Sequence, residues 1–179
     1  MGKSHDNSTQ TRQLGKGMII AAWLLLLGLL TWFFNAQLDR QQNPNRQVMS
    51  TTSPNGKPQV SLERNRFGHY VATGLINAQP VVFMLDTGAT DVSIPLSVAE
   101  KLGLEKGQPM LYQTANGTIR AWQTVIDEIQ LGELSVGSVR ASINPAVQGD
   151  EILLGMSFLK QLDFNQQGNT LTLKYPTRH

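Results

Sequence analysis

The 179-residue chain contains no cysteine. A disulfide framework and any cysteine-ligated metal site are therefore excluded, although the compartment is not, because many exported proteins also lack cysteine. Histidine is scarce. His5, His69 and His179 stand singly, without the spacing of a metal-ligand set, and read as unrelated surface or tail imidazoles. No metal and no cofactor is expected. Excess positive charge is missing from the part of the chain that looks folded. Residues 1–59 hold six Lys/Arg and two Asp, a balance of +4, whereas residues 60–179 hold nine Lys/Arg and eleven Asp/Glu, a balance of −2. A nucleic-acid binder clusters its basic residues on the folded domain, so nucleic acid is not an expected partner. No repeat of solenoid period is present.

One long apolar run stands out. Met18–Phe34, "MIIAAWLLLLGLLTWFF", is seventeen residues without a charge. As a helix it spans ~25 Å, slightly under a hydrocarbon core of ~30 Å. Trp32, Phe33 and Phe34 crowd one end, where aromatic rings favour the membrane interface. A cleaved signal peptide is the rival reading. It asks for small residues before the cleavage point, and Phe34 would fill the minus-three position of Phe34-Asn35-Ala36. The expectation is an uncleaved anchor in contact with membrane lipid. Lys3, Arg12 and Lys16 precede the run and Arg40 and Arg46 follow it; the bias places the N-terminus inside and the domain outside the cytoplasm.

The composition divides the chain into a tail at 1–17, an anchor at 18–34, a flexible stalk at 35–58 and a domain at 59–179. The stalk is rich in Gln, Asn, Ser, Thr and Pro. The domain is a series of short apolar or alternating runs separated by turn residues, the pattern of an all-β fold. Strands are expected at Gln59–Glu63, His69–Ile76, Val81–Leu85, Met110–Gln113, Thr118–Leu131 (broken or bent), Leu134–Ile143, Ile152–Leu154 and Thr170–Tyr175. Asn116-Gly117 marks a hairpin turn. Ser97 caps a short helix over "VAEKLGL", with Glu100 completing a capping box and Gly103 near the end. "MSFLKQL", Met156–Leu162, forms a second.

The chemistry lies in Val81–Pro95, "VVFMLDTGATDVSIP". Asp-Thr-Gly by itself often marks only the turn at a strand end. Here an apolar strand delivers Asp86 from a rigid element, and the apolar Val92 and Ile94 return the chain to the core. A carboxylate at such a place is costly unless something pairs with it. About sixty-five residues later "ILLGMSFL" echoes the arrangement, apolar strand then glycine, without the carboxylate.

"LDTGAT" followed by "ILLGMSFL" resembles the retropepsin-type aspartic proteases, the retroviral and bacterial single-domain relatives of pepsin. The resemblance covers roughly residues 60–175 and is closest to membrane-anchored bacterial members, with a short N-terminal span and a periplasmic domain. It implies a closed, mostly β acid-protease barrel with a flap hairpin, one or two short helices and an active site at a two-fold axis, here preceded by a single transmembrane helix. It also implies a single-pass protein of the bacterial inner membrane acting on protein or peptide substrates.

The reaction accounts for the aspartate. Peptide hydrolysis without a metal needs an activated water and a proton donor for the leaving amine. Two carboxylates close together provide both, since like charges ~3 Å apart cannot both ionise readily, and the pair titrates as one unit; aspartic proteases are themselves the standard illustration of this sharing. The chain has one Asp-Thr-Gly. Asp91 is too near in sequence to face Asp86 across a cleft, Asp150 and Glu151 look like loop charges, and Asp163 follows the last helix. The expected partner is Asp86 of a second copy, because a two-fold dimer sets identical residues opposite each other.

Neighbouring residues take roles under this reading. Gly88 lets an amide approach the carboxylate. By resemblance, Thr87 bonds across the dimer axis, and Ala89 replaces the serine of pepsin-like sites. Met110–Val125 is the flap candidate, with Tyr112, Thr114, Ala115, Asn116 and Gly117 placed against substrate, although it has less glycine than retroviral flaps. Trp122 lines the cleft or packs in the core. Leu153, Leu154 and Gly155 are expected beneath the Asp86 loop. The last strand pairs with its own copy, as chain ends do in retropepsins, or closes its own barrel. The expected activity is an aspartic endopeptidase, with a catalytically silent peptide-binding or scaffolding domain as the alternative, and self-processing of the stalk as a third reading.

Overall fold

The computed structural model describes residues 7–53, 56–114 and 117–176. The chain forms two compact units, Met1–Arg40 and Gln41–His179. The first is carried by helix α1, Asn7–Gln42. Its segment Gly17–Gln42 is long and apolar enough to cross a membrane by length and composition, a test that a signal sequence also passes. Thr31, inside the apolar run, donates its hydroxyl to the Leu27 carbonyl at 2.8 Å, which hides the polar group within the helix.

The second unit is mostly β. Strands β1 (Met49–Thr52), β2 (Pro58–Glu63), β3 (Val71–Ile76), β4 (Gln79–Leu85) and β5 (Val92–Pro95) lead to helix α2 (Leu96–Lys101). Then come β6 (Pro109–Thr114), β7 (Gly117–Leu131), β8 (Leu134–Asn144), β9 (Glu151–Leu154), helix α3 (Met156–Leu159), β10 (Asp163–Gln167) and β11 (Thr170–Lys174). Seven strands lie in the order β3-β4-β9-β5-β8-β7-β6, and β3 also pairs with β7 through Leu75↔Gln130 and Ile76↔Ile129. That second pairing closes the sheet into a barrel, which removes the exposed edges that β3 and β7 would otherwise carry. Among the described residues of this sheet, β6 remains outside the closure, paired with β7 alone. The fold is the closed, mostly β barrel expected from the sequence.

Apolar runs that alternate strictly in β4 and β9 and shift phase in β7 and β8 set which residues turn inward. Phe83 on β4, Ile94 on β5, Ile126 and Ile129 on β7, Val139, Ala141 and Ile143 on β8, and Ile152 and Leu154 on β9 are fully buried. Each large apolar side chain taken from water in this way contributes roughly 1.5–3 kcal/mol before the entropy of ordering is counted.

Several expectations are corrected here. The 35–58 segment is not a free stalk among the described residues. Its first part, through Gln42, continues α1; Asn43 and Asn45 are buried; and Met49–Thr52 pairs with β2. The polar composition that suggests flexibility instead serves hydrogen bonding. The Asn45 side-chain amide donates to the carbonyls of Glu63 at 2.9 Å and Val71 at 2.7 Å and accepts from the Glu63 amide at 2.7 Å. Asn43 donates to the Thr73 hydroxyl and accepts from the Asn45 amide. These bonds tie β2 of the smaller sheet to β3 of the barrel.

Helix α2 starts at Leu96, after Pro95, and no side-chain cap bond forms, so Ser97 lies inside the first turn and the capping box is absent. Strand β5 runs straight into the helix, and Pro95 with φ of −56° already suits the junction. The expected C-terminal signal is present: Gly103 has φ of +68°, and its amide donates to the Glu100 carbonyl. The helix at "MSFLKQL" covers only Met156–Leu159. Strand β7 is not broken: it runs over fifteen residues, with β6 along its first part and β8 along its second, while its buried face shifts phase between Ala121 and Ile129. In the smaller sheet, ordered β1-β2-β11-β10, strand β11 has a neighbour on each side and has no free edge for its own copy.

Candidate active site

Asp86 stands where β4 ends. Leu85 pairs in parallel with Leu154 of β9, its amide donates to the Tyr70 carbonyl at 2.9 Å, and the Asp86 amide donates to the Leu154 carbonyl at 3.2 Å. The backbone is thus held on two sides up to the carboxylate itself. The chain then turns: the Ala89 amide donates to the Asp86 carbonyl at 3.3 Å, and the Gly88 amide donates to Asp86 Oδ1 at 2.8 Å. A bond from a backbone N–H to a carboxylate is charge-assisted and fixes the carboxyl plane. A Cβ at Gly88 would lie 3.2 Å from that same oxygen, so glycine leaves the carboxylate room. Asp86 is half-buried, while Thr87 and Gly88 are exposed.

The floor of this turn is the second motif. The Met156 amide donates to the Ala89 carbonyl at 2.8 Å, and the Ser157 amide donates to the Thr90 carbonyl at 2.9 Å. Gly155 lies so close beneath the loop that a Cβ would fall 2.7 Å from the Ala89 carbonyl oxygen and nearer still to that of Asp91. Its φ of −87° is open to any residue; contact, not backbone conformation, requires glycine. Leu153 and Leu154 lie alongside through the register Met84↔Leu153 and Leu85↔Leu154. Ser157, which the sequence reading passed over, is buried. Its hydroxyl accepts from the Val92 amide at 3.0 Å and donates to the Arg140 carbonyl at 2.7 Å.

Among the flap residues, β6 and β7 form the expected hairpin, with Tyr112 opposite Ile119 and Thr114 opposite Gly117, whose φ is +110°. Ala115 and Asn116 lie outside the described residues. Trp122 packs against the core and carries the Lys106 ammonium 5.1 Å from its ring centre. Tyr112 reaches the far end of the Asp86 loop: its hydroxyl lies 3.5 Å from Asp91 Oδ2.

Asp91 is one of the acids that sequence reasoning excludes as a dyad partner. It is too near Asp86 in sequence to form a dyad with it, but its side chain is only 7% exposed. Arg140 Nε donates to Asp91 Oδ1 at 2.8 Å from a side chain that is 56% exposed. The hydrogen bond and charge of Asp91 raise the Arg140 guanidinium further above its ordinary value. Burial, and then the same carboxylate, push the Tyr112 phenol above its own. The available signal was position: an acid directly before the buried strand Val92–Pro95 needs a donor, and the register Val92↔Ala141 puts Arg140 beside it.

A groove of about 590 Å³ is lined by residues 102–108 and 123–125 together with Asn77, Asp127 and Arg140. No residue of the Asp86 turn lines it, so it is distinct from the surface that presents the carboxylate.

A family model described as "gag-polyprotein putative aspartyl protease" matches residues 72–161, half of the chain and all of the Asp86 and Gly155 motifs. The chain is similar to the crystal structure of a retropepsin-like aspartic protease from Rickettsia conorii, with TM-score 0.54 and 25% identity, over 72% of this chain and 95% of that one. Among curated sequences it is 29% identical over 167 residues to an uncharacterized protein of Sinorhizobium sp., spanning 86% of this chain and 71% of that protein. It is 27% identical over 121 residues to an uncharacterized protein of Rickettsia prowazekii, covering 65% of this chain and 52% of the relative. The match thus spans about half the length of the second.

Proposed function

The chain belongs to the bacterial retropepsin-like aspartic proteases, and from that premise we propose that it is a membrane-anchored endopeptidase whose catalytic dyad forms when two copies bring their Asp86 carboxylates together. The observation that carries this reading is the Asp86 turn: a carboxylate delivered by a barrel strand, fixed by the Gly88 N–H at 2.8 Å, and supported from below by Met156 and Ser157. Asp91 is no substitute for a second catalytic acid, since both its oxygens face donors on Arg140 and Tyr112. The partner that remains is the same residue of a second chain.

In the dimer one carboxylate is ionised and the other protonated. The ionised one takes a proton from a water held between them, and the water oxygen attacks the scissile carbonyl carbon. The protonated one gives its proton to the carbonyl oxygen, forming a neutral diol. Collapse of the diol passes a proton to the departing nitrogen, and the C–N bond breaks. Thr87 joins the two loops, Ala89 shapes the site beside Asp86, and the β6–β7 hairpin, with Tyr112, Thr114, Ala115, Asn116 and Gly117, closes over substrate and excludes water. Leu153, Leu154 and Gly155 hold the loop from beneath. The apolar segment of α1 holds the chain in the inner membrane with the domain outside the cytoplasm, which raises the local concentration for dimerisation.

The test is hydrolysis of a mixed peptide library by the full chain in detergent, across a range of pH, against Asp86→Asn. The proposal expects cleavage by the parent and at least a ~10³-fold loss in the variant, since no second base stands in. Equal cleavage by both would remove the protease assignment. Peptide binding without turnover by the parent would instead indicate a silent binding domain.

A further inference from the structure

We propose that Asp91 is a positioning residue for the reaction, seating the flap strand β6 on the end of the catalytic loop through Tyr112. The inference rests on the reading of Asp86 as the catalytic carboxylate. Asp91 lies five residues beyond Asp86, immediately after the turn that α3 supports. Its two oxygens serve two different elements. Oδ1 accepts from Arg140 Nε of β8 at 2.8 Å, and Oδ2 faces the Tyr112 hydroxyl of β6 at 3.5 Å.

The first contact is an anchor. Arg140 is itself fixed at its backbone, since its carbonyl accepts from Ser157 Oγ, which in turn accepts from the Val92 amide next to Asp91. The carboxylate is therefore gripped from its own main chain and from the opposite strand, and it cannot follow the flap. The second contact is at the outer limit of a hydrogen bond. It joins the fixed carboxylate to the one barrel strand left outside the closure, paired with β7 alone. A short ion pair with a long hydroxyl contact on the other oxygen is the arrangement of a seat with an adjustable partner. When the hairpin moves toward the Asp86 turn, the Tyr112 contact shortens and holds the strand in its closed position. An ion pair needed only for stability has no use for a hydroxyl from a strand that is paired on one side alone.

The roles divide accordingly. Tyr112 and Asp91 set how readily the flap closes on peptide, so they act on substrate binding. Arg140 acts through Asp91, keeping the acceptor in place. None of the three touches the scissile bond.

The experiment uses the full chain in detergent with two readouts. Steady-state hydrolysis is compared for the parent, Tyr112→Phe, Asp91→Asn and their combination, and amide hydrogen exchange is followed in the same samples without substrate. The proposal expects Tyr112→Phe to raise KM about five- to tenfold with kcat close to the parent's, the effect of one modest hydrogen bond. It expects the double variant to be no worse than Asp91→Asn alone. Exchange should quicken at the β6 amides and not in β4 or β9. Arg140→Met should reproduce the KM effect, and Arg140→Lys should restore part of it. The proposal is overturned if Tyr112→Phe leaves both KM and β6 exchange unchanged. It is equally overturned if kcat falls at constant KM while exchange rises throughout the barrel, which would mark a purely structural ion pair. A parent with no Asp86-dependent hydrolysis would defeat the catalytic reading, and β6 exchange would still decide whether Tyr112 is seated on Asp91.

Discussion

Replacing Asn45 by alanine should cost this protein a large share of its stability, although composition alone assigns the residue to a loose tether. The side chain is buried and makes three hydrogen bonds, two to carbonyls of Glu63 and Val71 and one from the Glu63 amide, all between 2.7 and 2.9 Å. At a net ~1 kcal/mol for each bond the loss is about 3 kcal/mol, and more where a freed carbonyl stays dry. Domains of this size are stable by roughly 5–15 kcal/mol, and with a urea slope of ~1–3 kcal/mol/M the midpoint should fall by ~1–3 M. Asn45→Asp is the sharper variant. It keeps an acceptor for the Glu63 amide but sets a second acceptor, now charged, against two carbonyl oxygens, so at neutral pH it should be at least as damaging. The assay is urea unfolding of the full chain in detergent, followed by Trp122 fluorescence in a Trp23→Phe/Trp32→Phe background. A loss below ~0.5 kcal/mol for Asn45→Ala, the range of an ordinary surface substitution, would refute the reasoning and return residues 43–53 to the status of a free linker.

Two other substitutions test the site from below and behind. Gly155→Ala sets a methyl group against the Ala89 and Asp91 carbonyls; it should destabilise by ~1–3 kcal/mol and reduce kcat/KM more than tenfold by lifting the loop, measured by urea unfolding and peptide hydrolysis. Tyr70, whose carbonyl accepts from the Leu85 amide, buries a hydroxyl with no hydrogen-bond partner among the described residues. Tyr70→Phe should therefore leave stability unchanged or raise it by up to ~1 kcal/mol, and a loss of that size in thermal unfolding would mean that the hydroxyl is satisfied elsewhere.

The barrel was legible because it is built from short apolar runs, strictly alternating in β4 and β9, although the long strands β7 and β8 shift phase. Phe83, Ile94, Ile126, Ile143 and Leu154 each fall on the inward beat of a short apolar run bounded by turn residues. The Asp86 turn was legible for a different reason: a carboxylate after five apolar residues has few structural uses. What escaped the sequence reading was long-range. Strand β10 is exposed along its whole length, so Asp163–Gln167 has no apolar beat to announce it. It exists because β11 offers it a partner. Strand β1 is also largely polar and exposed, and it pairs with β2 just beyond Asn43 and Asn45, which tie the chain to Thr73, Glu63 and Val71. Ser97 looked like a cap, but Pro95 at the end of β5 had already fixed where α2 begins. Asp91 was dismissed on sequence distance from Asp86, the right criterion for a dyad and the wrong one for a contact with Tyr112 and Arg140, which lie 21 and 49 residues away. Local pattern reports the beat of each strand, whereas a polar side chain's partner depends on which strands the barrel brings together.

The central claim is that each active site needs two Asp86 carboxylates from two chains. Mixing the parent with Asp86→Asn at constant total protein, after subunit exchange, reads this directly. If the dyad spans two copies, activity falls as the square of the parent fraction, to about one quarter at an equal mixture. Activity that falls in simple proportion, to about one half, would show that one chain cleaves peptides alone and would contradict the account.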